Sequence, residues 1–422
     1  MICRNCNKKK SIKIAEIGKQ PISSLFLEKR RNIKNYSLDL YKCEICDLVQ
    51  LSKIPNLKDM YGPKYGYKTS VSKLMINHLK KKIKKMNNYK ILRKNSNILD
   101  IGSNDGTFLN FFSSKNNKFN LYGIDPSASA FLQNYKKKIN VIIDFFNKKT
   151  ATKYFIKKNI KFSLISSYAM FYDVEEPNEF CKLIKKILDK KGIWALEFSY
   201  FPLLLKNLTY DQICHEHCIY YSLTTFNNII RKNGLKIVDY ELNEINGGSI
   251  EVICAKNSST FSVNKRKINN LLLEEKKISK KDFSKFNLRV QNSRKNLDFF
   301  LSKCNKSEVI GYGASTKGNV ILNYCNIDQS KIKYICDANP DKFGKFTPGS
   351  HIRIISKKQM RKLKPKYLLV LIWSFRKEVI MQEQKFIKSG GKLVFPLPVF
   401  HIVDKENYTK YLKHGFDIFS FE

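Results

Sequence analysis

The chain has 422 residues, 43% apolar and 27% charged, enough for two or three domains of ordinary globular composition. No stretch approaches the ~18–20 unbroken apolar residues of a membrane span: the longest candidate, residues 193–205, is interrupted by Glu197 and Pro202. The N-terminus lacks the basic-then-apolar layout of a signal peptide, so a cytoplasmic location is expected. The formal net charge of +42 is spread along nearly the whole chain, in runs such as 80–85 and 136–138 that suit solvated helix faces. A dedicated nucleic-acid patch should cluster, so neither nucleic acid nor membrane is expected as a partner. A positive surface would still steer anionic ligands such as nucleotide diphosphates.

Residues 1–75 read as irregular and short-patterned. They carry Cys3 and Cys6, then Cys43 and Cys46, two Cys-x-x-Cys pairs with 36 residues between them. Each pair can grip one edge of a tetrahedral ion, and zinc is the default for four thiolates. A closed four-cysteine site leaves no open coordination position, so its expected role is structural. Eleven cysteines, an odd number, without a signal peptide argue against a disulfide framework. Tyr61, Tyr65 and Tyr67 follow, and the spacing of Leu74, Ile76, Leu79 and Ile83 predicts a basic amphipathic helix over 71–93.

Residues 97–255 alternate strand and helix signals, the pattern of a doubly wound sheet. Strands are predicted at 97–102, 121–125, 162–166, 192–197 and 249–254, with a helix over 178–189. The first strand runs into Asp100-Ile101-Gly102-Ser103-Asn104-Asp105-Gly106 and then a helix at 107–112. Gly102 allows a tight turn and close backbone approach, and the helix start offers unpaired N–H groups. Asp125 closes the next strand, where nucleotide folds place an acid for ribose hydroxyls. The loop lacks the Gly-x-Gly-x-x-Gly spacing of a dinucleotide site. It resembles the cofactor loop of class I methyltransferases, which implies that Asp100, Gly102, Asn104, Asp105, Gly106 and Asp125 hold S-adenosylmethionine.

His215-Glu216-His217 contains two of only six histidines. A two-residue spacing suits an extended segment or a turn, not one helix face, and fails the zinc-protease pattern. Imidazole can remove a proton near neutral pH, and a neighbouring Glu could fix its tautomer. Gly247-Gly248-Ser249, before the last central strand, could approach a ligand closely. Residues 258–300 are polar and helical. A second alternating unit then has strands at 308–313, 332–336, 367–373 and 392–396. Its turn, Gly311 to Asn319, makes a plausible phosphate cradle from Gly313, Ser315, Lys317 and Asn319. Asp337 closes the following strand.

In this order, the cysteine pairs, glycine loop, His-Glu-His segment and second glycine turn resemble the sugar C-methyltransferases that act on nucleotide-linked deoxysugars. The resemblance covers nearly the whole chain. It implies an α/β protein with a zinc-binding domain (1–75), a class I methyltransferase domain (76–257) and a C-terminal Rossmann-like domain (258–422), working as a monomer. It also implies that His217 is the base with Glu216 beside it, that His215 or a tyrosine steadies an enolate, and that Tyr65 or Tyr67 joins the site. Relatives carry a tyrosine where this chain has Cys214; Tyr210, Tyr220 or Tyr221 could substitute, and Tyr221 is a candidate substrate contact. Rival readings are an O- or N-methyltransferase on another metabolite, a zinc-containing nucleic-acid-binding protein, and a two-fold dehydrogenase, the last disfavoured by both glycine turns.

Overall fold

The computed structural model describes residues 1–61, 65–113 and 118–413. The N-terminal segment forms β1 (Ser11–Pro21), β2 (Asn35–Cys43) and β3 (Val49–Leu51). The central segment supplies β4 (Asn97–Ile101), β5 (Asn120–Ile124), β6 (Ile139–Ile142), β7 (Phe162–Tyr168) and β8 (Leu188–Ser199). Next come β9 (Ile219–Tyr220), β10 (Leu235–Asn243) and β11 (Ser249–Lys256). The last segment contributes β12 (Val309–Tyr312), β13 (Tyr334–Asp337), β14 (Arg353–Ser356), β15 (Tyr367–Val370), β16 (Lys392–Phe395) and β17 (His401–Val403).

The first sheet, β1-β2-β3-β9, is an antiparallel meander. It corrects the reading of residues 1–75 as irregular. Register shifts at Lys13/Ala15 and Glu16/Lys19 break the alternation of β1, because a bulge sends the next side chain to the wrong face. Its inner face, including Ile14, Ile17, Leu38 and Leu40, shares one core with Phe283, Phe286 and Val290 of the helix Lys280–Ser302 and with the C-terminal sheet.

The central sheet runs β10-β11-β8-β7-β4-β5-β6, with β11 antiparallel to both neighbours. β4 lies at the point where the strand order reverses, between β5 and β7, so ligands are expected at its C-terminal end. Strands covered on both faces need continuous apolar runs, and Ile98, Leu99, Leu164, Ile165 and Trp194 are fully buried. The C-terminal sheet runs β14-β13-β12-β15-β16-β17 and is parallel except for β17. Its switch point lies between β12 and β15. No described helix is long and apolar enough to cross a membrane.

Candidate active site

The sulfurs of Cys3, Cys6, Cys43 and Cys46 lie within 4.8 Å of one another. Cys3 and Cys46 are 3.5 Å apart and Cys6 and Cys43 3.6 Å, far longer than a disulfide. A tetrahedral ion held at ~2.3 Å by each thiolate needs sulfurs roughly 3.8 Å apart, so the donor set fits zinc. Cys3 and Cys43 are buried, and the tight turns Cys3–Asn7 and Cys43–Asp47 close on backbone hydrogen bonds. The same knuckle supplies Arg4, Asn5 and Asn7 to the wall of the main cavity.

That cavity measures about 1310 Å³ and lies over the C-terminal ends of β5, β4, β7 and β8. It exceeds the ~300–1,000 Å³ of a typical small-molecule site, leaving space for a second ligand. Asp100, Gly102, Asn104 and Asp125 line it. Gly102 holds φ +77°, and a Cβ there would fall 2.9 Å from Met170, itself a cavity wall. Asp125 accepts from the Asn104 backbone N–H at 2.9 Å and from the Ser127 N–H and hydroxyl at 2.6 Å, so the strand-end carboxylate is fixed to the glycine loop. Asp100 accepts from the Ser166 hydroxyl at 2.6 Å. Burial pushes its pKa up to about 7 against that bond.

Asp105 and Gly106 stand behind this wall. Asp105 accepts from the Ser70 N–H at 2.9 Å and from the Thr107 hydroxyl at 2.6 Å. Asn104 accepts from the Thr69 N–H at 3.0 Å and donates to the Tyr67 carbonyl at 3.1 Å. The two side chains therefore clasp the tyrosine segment against the cofactor loop. Tyr65 and Tyr67 both line the cavity, with Tyr65 tilted against Tyr61 at 5.1 Å.

His217 lies under Tyr172, their ring centroids 4.0 Å apart, and does not itself line the cavity. Its Nδ1 is 2.9 Å from the Gln212 carbonyl. A carbonyl only accepts, so Nδ1 carries the proton and Nε2 keeps a free lone pair. The segment is a turn, closed by the His217 N–H on the Cys214 carbonyl at 3.1 Å, and the tautomer is set by Gln212 while Glu216 meets Ser23. Burial, aided by the charge of Lys317, holds the His217 pKa down at about 3. Glu216 is buried and accepts from the Ser23 hydroxyl at 3.2 Å, leaving Oε1 without a partner among the described residues. His215 Nε2 meets the Tyr36 carbonyl at 3.3 Å. Tyr220 donates to the same Gln212 carbonyl at 3.2 Å. Tyr221 is stacked on Phe171 in the core at 5.0 Å.

The second glycine turn is engaged within the protein. Ser315 caps the helix Thr316–Tyr324, and Asn319 donates to the Ser23 carbonyl at 2.7 Å. Lys317 donates to Asn246 Oδ1 at 2.6 Å, and burial, opposed by Asp211, lowers its pKa to about 8. Trp373, just past β15, donates to Asp211 at 2.8 Å and closes over Gly247, where a Cβ would meet the indole at 2.5 Å.

Three cavity residues escaped the sequence reading. Asp173 lines the wall with Oδ1 unpartnered among the described residues, its pKa raised well up by burial. His78 sits on the helix Lys73–Met86 and meets both oxygens of Glu197 at 2.8 and 3.0 Å. The available signal was Lys82 and Glu197: a cation on an apolar helical stripe, and an acid closing an apolar strand.

Family models match three successive stretches: a zinc binding domain over residues 3–61, a methyltransferase domain over 73–240, and a C-methyltransferase C-terminal domain over 244–398. The C-methyltransferase NovU of Streptomyces niveus is 25% identical over 414 residues, spanning 96% of this chain and 97% of its own. Among solved structures, an S-adenosylmethionine-dependent methyltransferase from Clostridium acetobutylicum is 11% identical over 42% of this chain and 90% of its own, with a TM-score of 0.33. The plantazolicin methyltransferase BpumL, solved with S-adenosylhomocysteine, is 14% identical over 43% and 84%, with a TM-score of 0.33. Likenesses that weak carry no argument about the site. The three matched domains and the full-length relative, together with the four-cysteine cluster and the strand-end cavity, make this chain an S-adenosylmethionine-dependent C-methyltransferase with an N-terminal zinc-binding domain.

Proposed function

We propose that the acceptor is a keto-deoxysugar carried on a nucleotide diphosphate, methylated at the carbon next to its ketone. The observation carrying this reading is His217, whose Nδ1–H is committed to Gln212, so that Nε2 is the nitrogen left with a lone pair. Burial keeps the ring neutral, so its lone pair is open to a proton, and a nearby ammonium, Lys317, favours the resulting anion.

In this reading His217 Nε2 takes the proton, and the carbon–hydrogen electrons pass into the carbonyl to give an enolate. S-adenosylmethionine, seated by Asp100, Gly102, Asn104 and Asp125, supplies an electrophilic methyl carbon. The protein's work is then to hold the enolate carbon in line with that methyl group and exclude water. His215, Tyr65 or Tyr67 would hydrogen-bond the enolate oxygen. Free cysteines beside a thiolate metal site suit the reducing cytoplasm.

The test incubates the enzyme with methyl-¹³C S-adenosylmethionine and thymidine-diphosphate-linked 4-keto-6-deoxyglucose. The expected product has a new carbon–carbon bond, read by NMR coupling beside the ketone. A methyl group on oxygen or nitrogen, or no transfer to any nucleotide-linked ketose, would refute the reading.

A further inference from the structure

The main cavity, on its β7–β8 side, is walled by a histidine–carboxylate pair. His78 Nε2 lies 2.8 and 3.0 Å from the two oxygens of Glu197, and both residues line the cavity. A carboxylate only accepts, so Nε2 carries the proton of the neutral ring, and in that form Nδ1 keeps its lone pair. Among the described residues Nδ1 has no hydrogen-bond partner, although the side chain is 11% exposed. Burial pushes the Glu197 carboxyl up, but His78 and Lys82 outweigh it and hold its pKa at about 2.

Charge neutralisation alone does not explain the histidine. Lys82 already bridges Glu197 at 3.0 Å and Glu251 at 3.1 Å, and Lys85 meets Glu251 at 2.8 Å. Lys82 meets both buried carboxylates, and Lys85 is shared between Glu251 and the exposed Glu241 at 2.6 Å. Asn243 adds a further donor to Glu197 at 2.8 Å. What Glu197 gives His78 is a fixed ring orientation, the arrangement by which a carboxylate aims an imidazole at its target.

Position supports a ligand there. Glu197 pairs in register with Tyr168 at the ends of β8 and β7. β8 is two strands from β4, on the side away from Asp125 on β5, hence roughly 10 Å across the sheet from the cofactor turn. The helix bearing His78 begins directly after Thr69 and Ser70, the residues clasped by Asn104 and Asp105 of that turn. The pair and the cofactor loop are therefore held in one frame.

We propose that His78, aimed by Glu197, is an acceptor-binding residue that takes a hydrogen bond from a neutral hydroxyl of the acceptor. A lone pair needs a donor. An ammonium would be repelled by Lys82 behind Glu197, which favours a neutral one. The proposal rests on reading the cavity as the common cofactor and acceptor site.

The test treats the enzyme, loaded with S-adenosylhomocysteine, with diethyl pyrocarbonate and maps modified histidines by mass spectrometry. His78 should react about tenfold faster than the more enclosed His215 and His217. Thymidine-diphosphate-linked 4-keto-6-deoxyglucose should slow the His78 reaction at least ~3-fold by occupying Nδ1. His78→Gln should lower kcat/KM roughly 10–100-fold, the loss of one aimed hydrogen bond, with S-adenosylhomocysteine affinity unchanged. A purely structural pair would show no acceptor protection, and that result overturns the proposal when wild type methylates this sugar. Should wild type leave the sugar untouched, the nucleotide-sugar reading fails instead. The pair is then judged on labelling alone, and His78 reacting no faster than His217 would overturn it.

Discussion

Two glycine turns follow parallel strands in this molecule, one after β4 and one after β12, and they are used in opposite ways. Gly102 and Gly313 hold similar left-handed φ values, +77° and +92°. The first faces a cavity of about 1310 Å³ whose described lining ends in the sequence at Glu197. The second is filled by protein: Ile372 presses on Gly313, Lys317 reaches Asn246, and Trp373 holds Asp211. One position separates the strands themselves. Two residues before the turn, β4 carries Asp100 where β12 carries Gly311. A strand–glycine–helix signature therefore marks a place where chain can come close, whether that chain belongs to a ligand or to the next domain.

The largest expected effect comes from adding a side chain to each turn. Gly102→Val should weaken S-adenosylhomocysteine binding more than ~100-fold, because a β-branched residue is strained at positive φ and displaces Met170. Gly313→Val should leave that affinity unchanged and lower stability instead, since the atoms nearest its Cβ belong to Ile372, at 2.6 Å. Calorimetry and urea unfolding of the two variants separate the roles. Equal losses of binding would break the comparison.

A smaller effect sharpens the C-terminal half. Trp373→Phe removes the donor to a buried carboxylate whose other oxygen is already unpartnered among the described residues. A loss of about 1–3 kcal/mol in unfolding free energy is expected. The cofactor affinity should stay constant while kcat falls, because Asp211 adjoins Gln212, which orients His217.

A further effect concerns pH. Burial raises the Asp100 pKa to about 7, above its unfolded value. The folded state therefore favours the protonated form. Its contribution is fully present below the unfolded pKa and is lost as pH rises through about 7. Asp100→Asn should flatten the stability profile between ~pH 4 and 7 by up to ~4 kcal/mol. A profile as steep as wild type would show that Asp100 is not the titrating group.

The parts legible in the sequence were those coded by local rules. Cys3, Cys6, Cys43 and Cys46 announce a metal by spacing, and β4, its glycine turn and Asp125 follow one another within a single βαβ unit. The first sheet was hidden because bulges in β1 break its alternation. The helix Lys73–Met86 was found, but its buried stripe is Met75, Leu79, Lys82 and Met86. Reading the stripe through Leu74 and Ile76 left out His78 and Lys82, whose partners lie over a hundred residues away. The engagement of Lys317 and Asn319 was equally invisible, since Asn246 and Ser23 reach them only through tertiary packing.

The most direct test of the account follows the acceptor's carbon–hydrogen bond in the absence of any methyl donor. The enzyme is incubated in D₂O with S-adenosylhomocysteine and thymidine-diphosphate-linked 4-keto-6-deoxyglucose, and deuterium entry beside the ketone is followed by NMR. Wild type should exchange that proton, and His217→Asn should slow the exchange by ~10²–10⁴-fold while binding S-adenosylhomocysteine normally. Exchange at the wild-type rate in His217→Asn would contradict the assignment of His217 as the base.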